Sequence, residues 1–172
     1  MTDGAPTPIL PGEATADLCD RLGDQARICH LPWRSYGGLQ AAGAPMACVQ
    51  AFEDAGPLRA LLDTPGQGRI LVADAGGGLR VAVLGERMAR LGLANGWRGV
   101  IVHGAVRDVA ALAGLDFAVL ALGAVPRRAP PAAQAGARDK ARHGALALGG
   151  VEIADGDWAG LDADGLVFVR RA

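Results

Sequence analysis

The sequence predicts one α/β domain, and three observations carry that prediction. Arg69-Ile70-Leu71-Val72-Ala73-Asp74 and Gly99-Val100-Ile101-Val102-His103-Gly104 are continuous apolar runs of the kind that form buried strands. Between them a helical period sets in from Gly85, with Leu84, Met88, Leu91 and Asn95 on one face and Gly96 placed as a C-cap. The chain has 172 residues, 51% of them hydrophobic, which fills one sizeable core but not two.

In chain order, residues 1–12 hold Pro6, Pro8 and Pro11 with little to bury, and read as a mobile tail ahead of a domain at 13–172. Thr15 to Leu22 reads as a short helix: Thr15 is a plausible N-cap, and Leu18 and Leu22 share a face. Gly37-Gly38 suggests a turn. Met46 to Phe52 reads as a strand, and Pro57 to Leu62 as a helix, with proline tolerated in its first turn. The strand at 69–74 runs into Gly76-Gly77-Gly78, a tight loop. After the strand at 99–104, Arg107-Asp108 falls in a turn before a helix at Val109 to Ala113. Further strands are expected at Phe117 to Leu122, Ala145 to Leu148, Val151 to Ala154 and Leu166 to Val169, with turns at Gly156 and Asp164-Gly165. Pro126 to Gly144, rich in Ala, Pro and Arg, reads as a long connection.

Composition removes several kinds of chemistry. The 17 basic and 18 acidic residues nearly cancel, with no basic stripe interleaved with aromatics, so nucleic acid is a poor default partner. No apolar run approaches the ~20 residues of a membrane span, and the N-terminus has no signal-peptide pattern, which predicts no membrane partner and a cytoplasmic location. Cys19, Cys29 and Cys48 have neither even number nor Cys-x-x-Cys spacing, so they read as ordinary thiols. Lys140 is the only lysine and lies in a polar stretch, which makes an imine mechanism improbable. Ser35 is the only serine and lacks a nucleophile-elbow context.

Two places offer chemistry from the residues alone. Gly85-Glu86-Arg87-Met88 opens the strongest predicted helix, and the first four N–H groups of a helix lack internal partners and suit a small carboxylate. Arg107 and Asp108 follow a strand's carboxyl end, where ligands of open α/β sheets commonly bind. A guanidinium pairs with a substrate carboxylate, and a side-chain carboxylate holds a hard divalent cation. Each has a bland counterpart: a glycine needed only for its turn, and a surface ion pair. Gly76-Gly77-Gly78 matches no phosphate-binding pattern and reads as a structural turn. His103 reads as a hydrogen-bonded core or interface histidine, and Asp155, Asp157, Asp162 and Asp164 as turn residues.

Several of these stretches recur together in one order. Val72 to Gly78, Leu84-Gly85-Glu86 with Ala89, Asn95 to Val100, Gly104-Ala105-Val106-Arg107-Asp108, Gly149-Gly150-Val151, Gly156-Asp157-Trp158 and Asp162 to Gly165 together resemble the RraA-like family, over most of Thr15 to Val169. That family joins regulators of ribonuclease E to 4-hydroxy-4-methyl-2-oxoglutarate aldolases. The resemblance implies a three-layer β/β/α swivelling domain, assembled as a homotrimer with active sites at subunit boundaries, and leaves open whether trimers pair into a hexamer. It implies that the carboxylate and keto group of a 2-oxo acid meet the backbone of Gly85, Glu86, Arg87 and Met88 together with the Arg107 side chain. By the same resemblance, Asp108 binds Mg²⁺ or Mn²⁺. The ribonuclease regulators typically lack an aspartate after the arginine, so Asp108 favours the metal-dependent aldolases. Glu86, Glu53 or a neighbouring subunit's acid remain open as general base. The chain departs from the family in its 127–143 connection and at Gly160, where an aromatic residue is frequent.

The expected activity is therefore a class II retro-aldol cleavage of a 4-hydroxy-2-oxo acid to pyruvate, with oxaloacetate decarboxylation as a second activity, since both create the same enolate. The alternative is a non-catalytic protein that regulates a ribonuclease or helicase by binding it.

Overall fold

Backbone pairing in the computed structural model, which describes residues 8–130 and 144–172, turns the apolar runs into adjacent strands. In chain order the elements are α1 (Thr15–Leu22), a 3-10 turn (Gly23–Gln25), β1 (Arg27–Ile28), β2 (Arg34–Ser35), β3 (Ala42–Gln50), α2 (Gly56–Leu62), β4 (Ile70–Asp74), β5 (Ala82–Leu84), α3 (Glu86–Ala94), β6 (Gly99–Val106), α4 (Val109–Leu112), β7 (Ala118–Ala124), β8 (Ala145–Leu148), β9 (Val151–Ala154), β10 (Trp158–Asp162) and β11 (Gly165–Val169). The main sheet has the order β1-β11-β10-β3-β4-β6-β7-β2, with β5 added beside β6, and β8 and β9 form a separate hairpin.

The strands β3, β4, β6 and β7 are parallel, in the register Met46↔Ile70, Ile70↔Gly99 and Gly99↔Ala118. Because side chains alternate across a strand, successive residues of these runs feed two different cores. Leu71, Val100 and Val102 face α2 and α3, packing with Leu58, Leu62 and Phe117. Val72 and Ile101 face the other way, onto Leu146, Leu148 and Ile153 of the hairpin and Leu161, Leu166 and Phe168 of β10 and β11. The result is the expected three-layer β/β/α arrangement. Strand β3 joins the two β layers: its first half pairs antiparallel with β10 (Ala44↔Ala159), and its second half parallel with β4.

That dual pairing explains two differences from the sequence reading. Strand β3 starts at Ala42 rather than Met46, and β10, not expected at all, lies between β3 and β11. Trp-Ala-Gly-Leu-Asp shows little alternation of its own, and partners on both sides hold it extended. In α3 the fully buried face is Ala89 and Gly92, with Met88 and Leu91 half-buried beside it. A Cβ on Gly92 would stand 2.8 Å from Leu62 Cδ2, so α2 and α3 approach more closely than larger side chains allow.

The tail expected over residues 1–12 does not extend that far in the described part. Ile9 is 3% exposed and packs with Leu18, Val167 and Val169. Its side chain occupies the space that a Cβ on Gly43 or Gly160 would enter. An isoleucine from the N-terminal segment thus packs directly over Gly160, where a Cβ would stand 3.2 Å from its Cδ1. Residues 1–7 lie outside the described residues, as do 131–143 of the long connection.

The N-cap of α1 is Ala14, not Thr15, and carries no side-chain cap. Thr15 instead donates through both its N–H and Oγ1 to the Asp162 carboxylate, each at 2.7 Å. Burial alone would raise the Asp162 carboxyl, but these bonds and the N–H of Asp164 outweigh it and hold it below the ordinary range. A carboxyl lowered by folding stabilises the fold above its unfolded value, about pH 4, and that contribution is lost as pH falls through the lowered value. Urea midpoints measured from pH 6 to pH 2 should therefore drop more steeply for the wild type than for Asp162→Asn.

Candidate active site

Strand β5 ends at Leu84 and β6 at Val106, and the two are parallel, with Leu84 opposite Val106. Chain leaving both strands at the same end places Gly85 and Arg107 side by side, and Arg107 N–H donates to Leu84 O at 3.0 Å. Here a cleft of about 690 Å³ opens between the start of α2, the start of α3, the turn before α4 and residues 128–130. Gly85, Glu86, Arg87, Met88, Arg107 and Asp108, all expected from sequence, line it. Its remaining walls include Arg59 from α2 and Arg128, Ala129 and Pro130, which sequence reasoning did not single out.

Asp108 adopts the left-handed conformation, φ 59° and ψ 39°, which Asp and Asn tolerate better than most residues. From there its Oδ2 accepts the Glu86 N–H at 3.0 Å, so it caps α3 from outside the helix. One of the amides expected to receive a substrate carboxylate is thus taken by a protein carboxylate. The N–H groups of Arg87 and Met88, also in the first turn, have no partner inside the helix. Gly85 itself is extended, so the need for glycine is steric: a Cβ would sit 2.7 Å from Asp108 Oδ2 and 3.3 Å from Arg107 Cγ. Gly85→Ala should therefore push the Asp108 carboxylate off its amide and cost about 1 kcal/mol in urea denaturation, the worth of a lost cap.

Asp108 is exposed and its second oxygen accepts no hydrogen bond among the described residues. No group of three or more His, Cys, Asp or Glu side chains converges anywhere among those residues. A cation at Asp108 would have one carboxylate from this chain and water or ligand oxygens for the rest. That suits Mg²⁺, which keeps several waters, and not a Zn²⁺ site built from side chains.

Arginine dominates the charge of the cleft. Arg59, Arg87, Arg107 and Arg128 line it against Glu86 and Asp108, and Glu86 is already paired with Arg90 at 2.9 Å. None of those four arginines is in an ion pair among the described residues, whereas Arg80 on the neighbouring loop is held by Glu53. The cleft is arranged for anions. Its only described proton acceptors are Glu86 and Asp108, and Glu53 lies outside it.

The other candidates fall away from this place. Burial pushes the Cys48 thiol up to about 12, helped by Asp155 and Asp157, and Cys29 is raised by burial too, so both are poor nucleophiles. Ser35 is exposed on β2 and does not line the cleft. Lys140 lies outside the described residues. His103 bonds through Nδ1 to Asp74 Oδ1 at 2.8 Å, and that oxygen also accepts the Gly76 N–H. Burial would raise the Asp74 carboxyl, but the bonds from His103 and Gly76 prevail and hold it low. Gly77 has φ 77°, and a Cβ there would stand 3.0 Å from His103 Nε2. The triple-glycine loop is thus a turn pinned on a histidine rather than an open cradle for phosphate.

Residues 15–168 match the RraA-like family, described as Aldolase/RraA. A protein of Alkalilimnicola ehrlichii named "Putative 4-hydroxy-4-methyl-2-oxoglutarate aldolase" is 40% identical over 158 residues, 92% of this chain and 95% of that protein. Among solved structures, an S-adenosylmethionine:2-dimethylmenaquinone methyltransferase of Geobacillus kaustophilus superposes with a TM-score of 0.85 at 37% identity, covering 93% of this chain and 96% of that one. The RNA-processing inhibitor RraA of Thermus thermophilus superposes with a TM-score of 0.83 at 33% identity, covering 91% and 92%. These relatives carry three different activities by name, so the fold does not choose among them and the cleft must.

Proposed function

The chain belongs to the RraA-like family, and from that premise we propose that it is a divalent-metal-dependent carbon–carbon lyase. Its substrate in this reading is 4-hydroxy-4-methyl-2-oxoglutarate or a related 4-hydroxy-2-oxo acid, cleaved to pyruvate, with oxaloacetate decarboxylation as a second activity. The observation that carries it is the Asp108 carboxylate beside Arg107 at the mouth of α3, one oxygen on a helix amide and the other accepting no hydrogen bond among the described residues.

In this reading Arg107 pairs with the C1 carboxylate, and the first-turn amides of α3 orient the 2-oxo group. A divalent cation held by Asp108 supplies, when bound, positive charge against the negative charge that develops on the C2 oxygen as C3–C4 breaks. The electron pair of that bond moves into the enolate of pyruvate as the 4-hydroxyl proton leaves to a base and C4 becomes a carbonyl, and a proton returned to C3 completes pyruvate. Glu86 lies at the cleft wall, where it can accept that proton, although Arg90 must share its carboxylate. No lysine is needed, because the charge is stabilised without an imine.

Incubation with 4-hydroxy-4-methyl-2-oxoglutarate and with oxaloacetate should release pyruvate in the presence of Mg²⁺, stop on addition of EDTA, and resume with excess Mg²⁺. The likeness to the Thermus RNA-processing inhibitor favours a second reading, a protein that acts by binding another. Absence of turnover with saturating metal would overturn the lyase and leave that second reading standing.

A further inference from the structure

We propose that Arg59 and Arg128 form a second anion subsite in the cleft, which selects 2-oxo acids that carry a distal carboxylate; this rests on reading the cleft as a 2-oxo acid site. The C1 carboxylate and oxo group are served by Arg107 and the start of α3. Arg59 and Arg128 reach the same cleft from two other walls, α2 and the segment after β7, and have no part in that first set.

Surface arginines are often merely solvated, so three observations weigh against that reading here. Neither Arg59 nor Arg128 makes a side-chain hydrogen bond or ion pair among the described residues, while Arg80 and Arg90, close by, are both satisfied by carboxylates. The backbone around Arg128 is fixed: Ala82 N–H donates to Arg127 O at 2.7 Å, Ala129 N–H donates to Ala82 O at 2.8 Å, and Ala129 is buried. Arg59 is carried on a helix anchored by Leu58 and Leu62, both fully buried. Both guanidinium groups are thus delivered by rooted backbone, which lowers the cost of ordering them on a ligand.

Charge and space point the same way. One carboxylate on Arg107 leaves the cleft still rich in uncompensated arginine, and a second carboxylate on the ligand relieves it. About 690 Å³ lies within the roughly 300–1,000 Å³ of sites that hold drug-sized ligands, well beyond a three-carbon acid.

The test is calorimetric binding with Mg²⁺ present, using pyruvate, 2-oxovalerate and 2-oxoglutarate, so that turnover is not the readout. The wild type should bind 2-oxoglutarate on the order of tenfold more tightly than 2-oxovalerate, which matches its chain length without the second carboxylate. Arg59→Gln and Arg128→Gln should each shrink that ratio, and the double variant should bring it near unity. Arg98→Gln, the same charge change outside the cleft, should preserve it. If the wild type binds both acids equally, or the ratio survives the double substitution, the subsite is overturned and the 2-oxo acid reading stands. If pyruvate and both longer acids all fail to bind, the reading on which it rests falls first and takes the subsite with it.

Discussion

Asp108→Asn should lower metal-dependent pyruvate release by about 10²–10⁴-fold while leaving the thermal midpoint within a few degrees. The magnitude follows from the several kcal/mol that a cation contributes against developing charge, each 1.36 kcal/mol being tenfold in rate. The structure explains why the fold should survive. An asparagine oxygen still accepts the Glu86 N–H, and asparagine tolerates the left-handed conformation that residue 108 adopts. Asp108→Ala loses both, so it should be less stable as well as inactive, by about 1 kcal/mol for the cap alone. Steady-state kinetics beside thermal melts of the two variants separates the roles. Wild-type activity in Asp108→Asn would remove the metal from the proposed chemistry.

For Arg107→Ala the expected change is chiefly in the substrate requirement. Loss of a charge-assisted pair to the C1 carboxylate, worth about 1.5–3 kcal/mol, should raise KM roughly 10- to 100-fold, with a smaller fall in kcat. The backbone bond from Arg107 N–H to Leu84 O does not depend on the side chain, so β5 and β6 should stay in register. Arg107→Lys should recover only part of the loss, because an ammonium keeps the charge but not the planar fork. A collapse of kcat at unchanged KM would instead assign Arg107 to the transition state.

The candidate site was legible to an unusual degree because its central parts are local. Gly85 to Met88 form one helix start, and Arg107-Asp108 is one dipeptide after a strand, so propensity and spacing mark them as candidates, and the family resemblance singles them out over their bland counterparts. That Asp108 caps α3 was not legible, since the contact spans the chain from 86 to 108 and depends on β5 and β6 ending together. Arg59 and Arg128 gave no local signal at all. Arg59 sits in an ordinary amphipathic helix, and Arg128 reaches the cleft because its neighbours bridge to Ala82, a short strand without a pattern of its own. Ile9 likewise sat among prolines, and the cavity over Gly43 and Gly160 that buries it is made by other segments.

From sequence alone, the α/β class, the main strands and helices, and two local groups of candidate residues were legible, because periodicity, capping and residue chemistry act over a few neighbouring positions. The tertiary structure alone decided which of these share a cleft, that an Asp108 oxygen caps α3, and which of the cleft's arginines have no ion pair among the described residues. Those facts depend on strand register and on which termini emerge side by side, contacts between distant segments that no short window of sequence encodes.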